Sequence, residues 1–256
     1  MLNANRKRHP DYRLPARLVV PVAWCALTDR RRSFRRDAIT CLRGLVPPLH
    51  IEGQEYIPAT GPFLVVVNHY QRPGFGAWWI SLAISAVLPV EAHWMMTGAW
   101  TYCDVLRSHT LEPLTHWAFT RLARCYSFTL MPPMPPRPQE VQARSLAVRR
   151  VVDYIRQTPD PVVALAPEGQ DYAGGVLGWP PPGVGRFITH LARDIPLILP
   201  VGAFESDGHF CLKFGSAVTF ELPDMDGKDV MDHQGSEWVM RLIACQLPAE
   251  LRGEFG

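Results

Sequence analysis

Hydrophobic positions along the chain fall into short continuous runs separated by longer segments of helical periodicity. The short runs are rich in Val, Ile and Leu and are bounded by Gly or Pro, which is typical of strands buried on both faces. These runs cover residues 61–67, 161–166, 195–203 and 210–214. We therefore predict four buried strands.

The intervening segments predict helices. Residues 75–88 are almost entirely apolar and end before Pro89, whereas residues 139–157 are apolar on one face and basic elsewhere. Further helices are predicted over 183–193 and 234–247. Strands that alternate with helices predict an α/β fold: a single layered domain with a mixed, largely parallel central sheet flanked by helices. Sites in such folds lie beyond the carboxyl ends of the strands.

Charge is distributed unevenly and adds an N-terminal arm to this picture. The first 50 residues hold eleven Lys and Arg against three Asp, and arginines flank an apolar run at residues 18–27. A run of about ten residues is too short to span a bilayer, which needs about 20. We predict that residues 1–44 form a basic, partly apolar helical arm contacting an anionic membrane surface, and that residues 45–256 form the main domain. An acidic carrier protein or plain solvation of the arm would also explain the charge, whereas the missing aromatic interleaving disfavours nucleic acid.

The surroundings of the apolar run also predict the compartment. Pro21 interrupts the run, and charged residues rather than a small-residue cleavage site follow it, so we predict no signal peptide. The six cysteines form no C-x-x-C pair and have no neighbouring His at metal-ligand spacing. We therefore expect a cytoplasmic protein, peripheral at the inner face of the membrane, with no disulfide and no metal.

Two of the predicted strands end in residues suited to chemistry. Asn68 and His69 follow the first strand, and Pro167-Glu168-Gly169 follows the second. A His at a strand exit, facing a crevice, can act as a general base near neutral pH. Considered alone, a His in this setting is more often structural, and a Glu at a strand end is more often a carboxylate satisfied by backbone N–H groups.

The ordered set of motifs resembles the phospholipid/glycerol acyltransferase family (1-acylglycerol-3-phosphate acyltransferase-like). Asn68-His69, Pro167-Glu168-Gly169 and the segment 195–201 resemble the family's first, third and fourth sequence blocks. The resemblance implies transfer of a fatty acyl group from acyl-CoA or acyl carrier protein, as co-substrate and without another cofactor, to a lipid acceptor. It implies that His69 is the general base, that Glu168 belongs to the catalytic site, and that N–H groups near Gly169 hold the oxyanion.

One departure from the family pattern concerns the base itself. The family's first block carries an Asp five residues after the His, where it orients the imidazole, and here that position is Gly74. Loss of such a carboxylate lowers turnover about 10⁴-fold in the serine-protease template. We consider Glu168, Asp171 and Glu91, in that order, as carboxylates that could replace it.

Two further departures concern the acceptor. Met131 stands where the second block usually has a phosphate-binding Arg, and Gln170-Asp171-Tyr172 stands where the third block usually continues Thr-Arg-Ser. We therefore expect an acceptor other than the usual glycerol phosphate, such as a neutral or cationic alcohol or amine. Arg186 and Arg137 are the remaining cations that could bind phosphate. The residues predicted to bind substrate are Asn68, Tyr70, Arg72, Phe128, Gly169, Gln170, Asp171 and Arg186.

Two alternatives to an active acyltransferase remain open from the sequence. A non-catalytic relative would bind acyl chains or membranes as a scaffold, which the missing Asp favours. An acyl-thioester hydrolase would use water in place of the acceptor.

Overall fold

The central feature of the fold is one eight-stranded sheet flanked by helices. The computed structural model describes residues 9–102, 104–135, 137–221 and 227–256. Within these residues the strands are β1 (His50–Glu52), β2 (Phe63–Val67), β3 (His93–Thr97), β4 (Thr129–Met131), β5 (Val162–Leu165), β6 (Leu197–Ser206), β7 (His209–Phe214) and β8 (Val218–Thr219). The α-helices in the same ranges are α1 (Ala16–Leu27), α2 (Phe34–Leu42), α3 (Trp78–Val87), α4 (Val105–Tyr126), α5 (Val141–Gln157), α6 (Val184–Ala192) and α7 (Lys228–Ala244).

The strand order explains why two sequence motifs meet. The order is β1-β7-β6-β2-β5-β3-β4, with β8 also paired to β6. All neighbours are parallel except that β6 pairs antiparallel with β7 and β8, so the predicted mixed, largely parallel sheet is confirmed. The strands β2 and β5 are adjacent, in a register that sets Val66 opposite Leu165. Extending that register by three residues sets His69 opposite Glu168.

The two central strands are held by the core. Every residue of β2 and β5 is buried, and Leu64, Val65 and Val163 are 0% exposed. Side chains buried in this way contribute strongly to the free energy of unfolding, since Leu→Ala in a core costs about 2–5 kcal/mol. The end of β2, from which His69 emerges, is thus a rigid position.

The N-terminal segment is joined to this core through α2. Ala38 and Cys41 of α2 are buried within the main hydrophobic cluster, and α2 packs against α3. The partly buried carboxylate of Asp37 accepts hydrogen bonds from Arg32 (2.6 and 2.8 Å) and from the hydroxyl of Tyr126 (2.9 Å). The division at residue 44 stays a prediction, and residues 1–8 of the arm lie outside the described residues.

The helices α1 and α4 pack against one another, and each contains a proline, Pro21 in α1 and Pro113 in α4. No residue of α1 is buried, and α4, which the sequence pattern did not predict, has only Ala123 and Cys125 buried. In the ranges given above, no helix is both long and apolar enough to cross a bilayer.

Candidate active site

The strand ends bring the imidazole of His69 and the carboxylate of Asp171 into contact. Oδ1 of Asp171 lies 2.7 Å from Nδ1 of His69, at ion-pair distance but off the axis of the ring N–H. Nδ1 is shielded from solvent, whereas a quarter of the side chain is exposed. Among the described residues Nε2 forms no hydrogen bond. The carboxylate, which follows β5 and not the His69 loop, is thus close enough to stabilise a protonated imidazole by its charge.

Glu168 bonds to the backbone of the His69 loop, and no hydrogen bond joins its carboxylate to the imidazole ring in the described residues. It is 1% exposed, and its carboxylate accepts hydrogen bonds from the backbone N–H of His69 (2.5 Å) and of Gly178 (2.9 Å). Burial raises its pKa to about 7, against the opposing effect of these two hydrogen bonds. Glu168 thus ties the end of β2 to the loop that follows β5.

The order in which we ranked the substitute carboxylates does not match the geometry. Asp171, ranked second, is the carboxylate at the ring. Glu168, ranked first, is occupied by backbone N–H groups because the register sets it directly opposite residue 69. Glu91 bonds to the hydroxyl of Ser33 and to the backbone N–H of Arg35, at the start of α2.

Asn68 is directed into the sheet. Its side chain is 1% exposed, and its amide donates to the carbonyl of Ala203 (2.8 Å) and accepts from the N–H of the same residue (2.7 Å). This two-way pairing continues the contact between β2 and β6 by one residue. We infer that Asn68 positions the neighbouring His69, because its polar atoms are used within the protein.

Tyr70 and Arg72 are both directed at Glu205, near the end of β6. The guanidinium of Arg72 binds both carboxylate oxygens of Glu205, with Nη2 at 2.7 Å from Oε1, and the hydroxyl of Tyr70 lies 3.4 Å from Oε2. Side-chain exposure is 16% for Arg72 and 5% for Glu205. These two residues, predicted to bind substrate, are thus engaged in holding the His69 loop against β6.

Sequence reasoning missed the rest of this cluster. The hydroxyl of Tyr12 donates to Oε1 of Glu205 (2.7 Å), and the Tyr12 ring packs against Phe75 and Trp79. Burial opposes ionisation of Glu205, but the hydrogen bonds from Arg72 and Tyr12 outweigh it and lower the pKa of that carboxyl. The signal that singled out Glu168, a carboxylate that ends an apolar strand, also applied to Glu205.

The residues between Glu168 and Tyr172 form a turn in which some backbone N–H groups lack a hydrogen-bond acceptor among the described residues. Gly169 has φ +63°, which favours glycine, and its N–H bonds to the carbonyl of Ala166 (3.1 Å). The side chain of Gln170 donates to the hydroxyl of Tyr172 (2.9 Å), which donates to the carbonyl of Trp179 (2.6 Å). In the part of the chain that the structure describes, the N–H groups of Gln170 and Asp171 have no acceptor.

The remaining predicted residues do not contact His69. Phe128 packs edge-on against Phe34 and lines an open cavity of about 1160 Å³ between α4, β4 and α5. Arg186 is exposed on α6, where its backbone N–H bonds to Asp232 (3.0 Å). Arg137 is held by both carboxylate oxygens of Glu112 (2.6 and 3.2 Å).

The described residues contain no group of three or more His, Cys, Asp or Glu side chains placed to hold a metal ion. The cysteines within them are free thiols, and Cys103 lies outside the described residues.

No model of a known protein family matches the chain, and no curated protein matches it. A solved structure with a related chain path is that of the 1-acyl-sn-glycerophosphate (LPA) acyltransferase PlsC from Thermotoga maritima. The two chains are 15% identical, the similarity covers 94% of this chain and 86% of that chain, and the TM-score is 0.47.

Proposed function

We propose that the chain is an acyltransferase that moves a fatty acyl group from acyl-CoA or acyl carrier protein to a lipid-like hydroxyl or amine. The observation that carries the proposal is the contact between His69 and Asp171 at adjoining strand ends, on a side chain that is one quarter exposed. The sequence blocks that resemble the phospholipid/glycerol acyltransferases assign the same His as the base. The proposal therefore rests on motif order and on side-chain geometry together.

The proposed reaction proceeds in one addition and one elimination. Nε2 of His69 takes the proton of the acceptor hydroxyl as its oxygen attacks the thioester carbonyl carbon, and Asp171 stabilises the imidazolium that forms. The C–S bond then breaks, the new ester remains, and the proton on His69 passes to the departing thiolate. The backbone N–H groups of Gln170 and Asp171 are the candidates to stabilise the oxyanion in between, since they have no acceptor among the described residues.

The surroundings of the base support an acceptor without a phosphate beside the reacting hydroxyl. Asp171, adjacent to the ring, would repel an anion placed there. Arg72 and Arg137 are each paired with a carboxylate, so binding a phosphate would require either ion pair to break, at a cost in free energy. Arg186 is exposed but makes no contact with the His69 loop in the described residues. A neutral or cationic alcohol or amine fits this charge pattern.

We further propose that the protein works at the inner, cytoplasmic face of a membrane as a peripheral protein. Arg17, Arg30 and Arg31 are exposed, and in the described part of the chain no carboxylate lies within salt-bridge distance of them. Unpaired arginines beside an exposed apolar helix suit an anionic lipid surface.

The test is release of CoA thiol from a long-chain acyl-CoA by the purified full chain, offered a panel of lipid alcohols and amines together with glycerol 3-phosphate and lysophosphatidate. We expect acceptor-dependent release that His69→Ala abolishes and that His209→Ala, an exposed histidine on β7, leaves unchanged. Absence of His69-dependent release across the panel would indicate a non-catalytic acyl- or membrane-binding protein. Release at the same rate without any acceptor would indicate a thioester hydrolase.

A further inference from the structure

The long helix α4 has its polarity reversed relative to an ordinary surface helix. Leu106, Leu114 and Trp117 recur eight and three residues apart, which places them on one face, and they are 75%, 56% and 49% exposed. Pro113 is exposed beside them. A helix that packs on a protein in water normally turns such a stripe inward. An exposed apolar stripe of this kind marks an interaction surface.

The opposite face of α4 is polar and is used by the protein. Glu112 binds Arg137, the hydroxyl of Thr115 accepts from the backbone N–H of Trp100 (3.2 Å), and Ser108 lines the cavity beside β4. These contacts fix the rotation of the helix about its axis. The apolar stripe cannot turn inward without breaking them.

The neighbouring helix α1 presents a second apolar stripe. Val20, Trp24 and Leu27 follow one another at intervals of four and three residues and are 74%, 60% and 58% exposed. Asp29, just beyond α1, holds the two helices together through Arg121 (3.0 Å) and Arg124 (3.6 Å) of α4. The two helices are thus adjacent, and we call their exposed apolar side chains together the α1/α4 surface, which comprises Val20, Trp24, Leu27, Leu106, Leu114 and Trp117.

We propose that the α1/α4 surface lies on a lipid bilayer that carries anionic headgroups, so that α4 and not the N-terminal arm alone forms the membrane contact. The charges around the surface support this occupant: Arg17, Arg30 and Arg31 are exposed, and Arg124 is 60% exposed. Tryptophans with an apolar body and a polar N–H favour the bilayer interface. The inference extends the membrane contact of the proposed function and does not depend on turnover.

The test measures partition of the full chain between buffer and vesicles of phosphatidylcholine with phosphatidylglycerol. We expect the double substitution Leu114→Glu with Trp117→Glu to weaken partition by at least about tenfold, because two apolar side chains no longer enter the lipid and two negative charges must approach it. Val230→Glu is the control, because Val230 is a 45% exposed valine on α7, a helix that packs on α6 and β6. Its partition should equal that of the unsubstituted chain.

Two further measurements separate the explanations. Hydrogen exchange of residues 105–118 should slow when vesicles are added to the unsubstituted chain, and circular dichroism should show that the variants are folded. Unchanged partition of the folded double variant would overturn the proposal. A change from dimer to monomer in sedimentation, with partition unchanged, would assign the surface to a second copy of this chain instead. Because His69→Ala leaves the surface intact, it should abolish acyl transfer without changing partition, so the two proposals fail independently.

Discussion

Single residues account for the way in which the His69 imidazole is held. Its carboxylate partner comes from the loop after β5, whereas the position five residues along its own loop is Gly74, with φ +81°. Aspartate at position 74 would adopt that backbone conformation at a cost of roughly 1–2 kcal/mol. Its β-carbon would lie 3.6 Å from Nη1 of Arg72, which would attract the carboxylate. Asp171, in the loop after β5, reaches the ring without this backbone cost and without the attraction of Arg72.

The role of Asp171 leads to the first prediction. Asp171→Asn should lower kcat by roughly 10²- to 10³-fold with little change in KM, because a neutral amide does not stabilise the imidazolium by its charge. The loss is smaller than in a buried triad because the Asp171 side chain is 46% exposed and solvent screens its charge. Steady-state release of CoA measures it, and Asp153→Asn, an exposed carboxylate on α5, is the control. Full activity of the Asp171→Asn variant would contradict the assigned role.

Glu168 leads to a prediction about stability and pH. Its pKa is about 7 in the folded chain and close to the ordinary value of 4.5 when unfolded, so the folded state binds the extra proton between these values. Stability from this group is therefore fully present below about pH 4.5 and is lost as pH rises through about 7, by at most about 3 kcal/mol. Glu168→Gln should flatten this part of the pH dependence. Urea unfolding at about pH 5 and about pH 8 measures it, and an unchanged slope would count against the shift.

At the scale of whole elements, the segment before α1 is held against the end of β6. Tyr12 reaches Glu205 near the end of β6, the same carboxylate that binds Arg72 of the His69 loop. The strand that carries Glu205 also pairs with Asn68. The N-terminal segment and the His69 loop are therefore both held by residues of β6.

We expect Tyr12→Phe to destabilise the fold by about 1 kcal/mol, because Oε1 of the partly buried Glu205 loses one of its donors. Tyr56→Phe is the matched control, since Tyr56 is 46% exposed. Thermal unfolding of both variants measures the difference. Equal midpoints for the two variants would show that the Tyr12 hydroxyl contributes nothing.

Elements also show why the sequence predicted some parts of the chain and missed others. The four predicted strands are found as β2, β5, β6 and β7 within three residues at each end, because strands buried on both faces are continuously apolar. The short strands β3 and β4 lie at one edge of the sheet and have no such pattern. The helix α4 was missed because its polar side faces the protein and Pro113 interrupts its pattern.

For the molecule as a whole, the arrangement of parallel strand ends made part of the candidate site predictable. His69 and the Pro167-Glu168-Gly169 motif followed two buried strands, and adjacent parallel strands bring such ends together. The choice of Asp171 over Glu168 depended on strand register, and the use of Tyr70 and Arg72 depended on Glu205, more than 130 residues away. Neither register nor long-range pairing can be read from a single sequence.

The basic charge of the N-terminal segment leads to a prediction for the whole protein. Because α2 is part of the core, deletion of residues 1–44 would damage the fold, and substitution is the cleaner test. Replacing Arg17, Arg30 and Arg31 with Gln should weaken binding to phosphatidylglycerol-containing vesicles by about 1 kcal/mol for each charge in contact. The difference from the unsubstituted chain should vanish at high salt. A difference that persists in high salt would contradict an electrostatic contact.

Pro21 and Pro113 would limit the depth of the proposed contact between the α1/α4 surface and lipid. Each lacks an N–H, so the carbonyl oxygens of Arg17 and His109, four residues earlier, lose the donor that a regular helix supplies. An unsatisfied carbonyl costs several kcal/mol in hydrocarbon, but water satisfies it among the headgroups. Both helices should therefore lie at the level of the lipid headgroups. The bound fraction of the protein should then increase when the lipids are loosely packed.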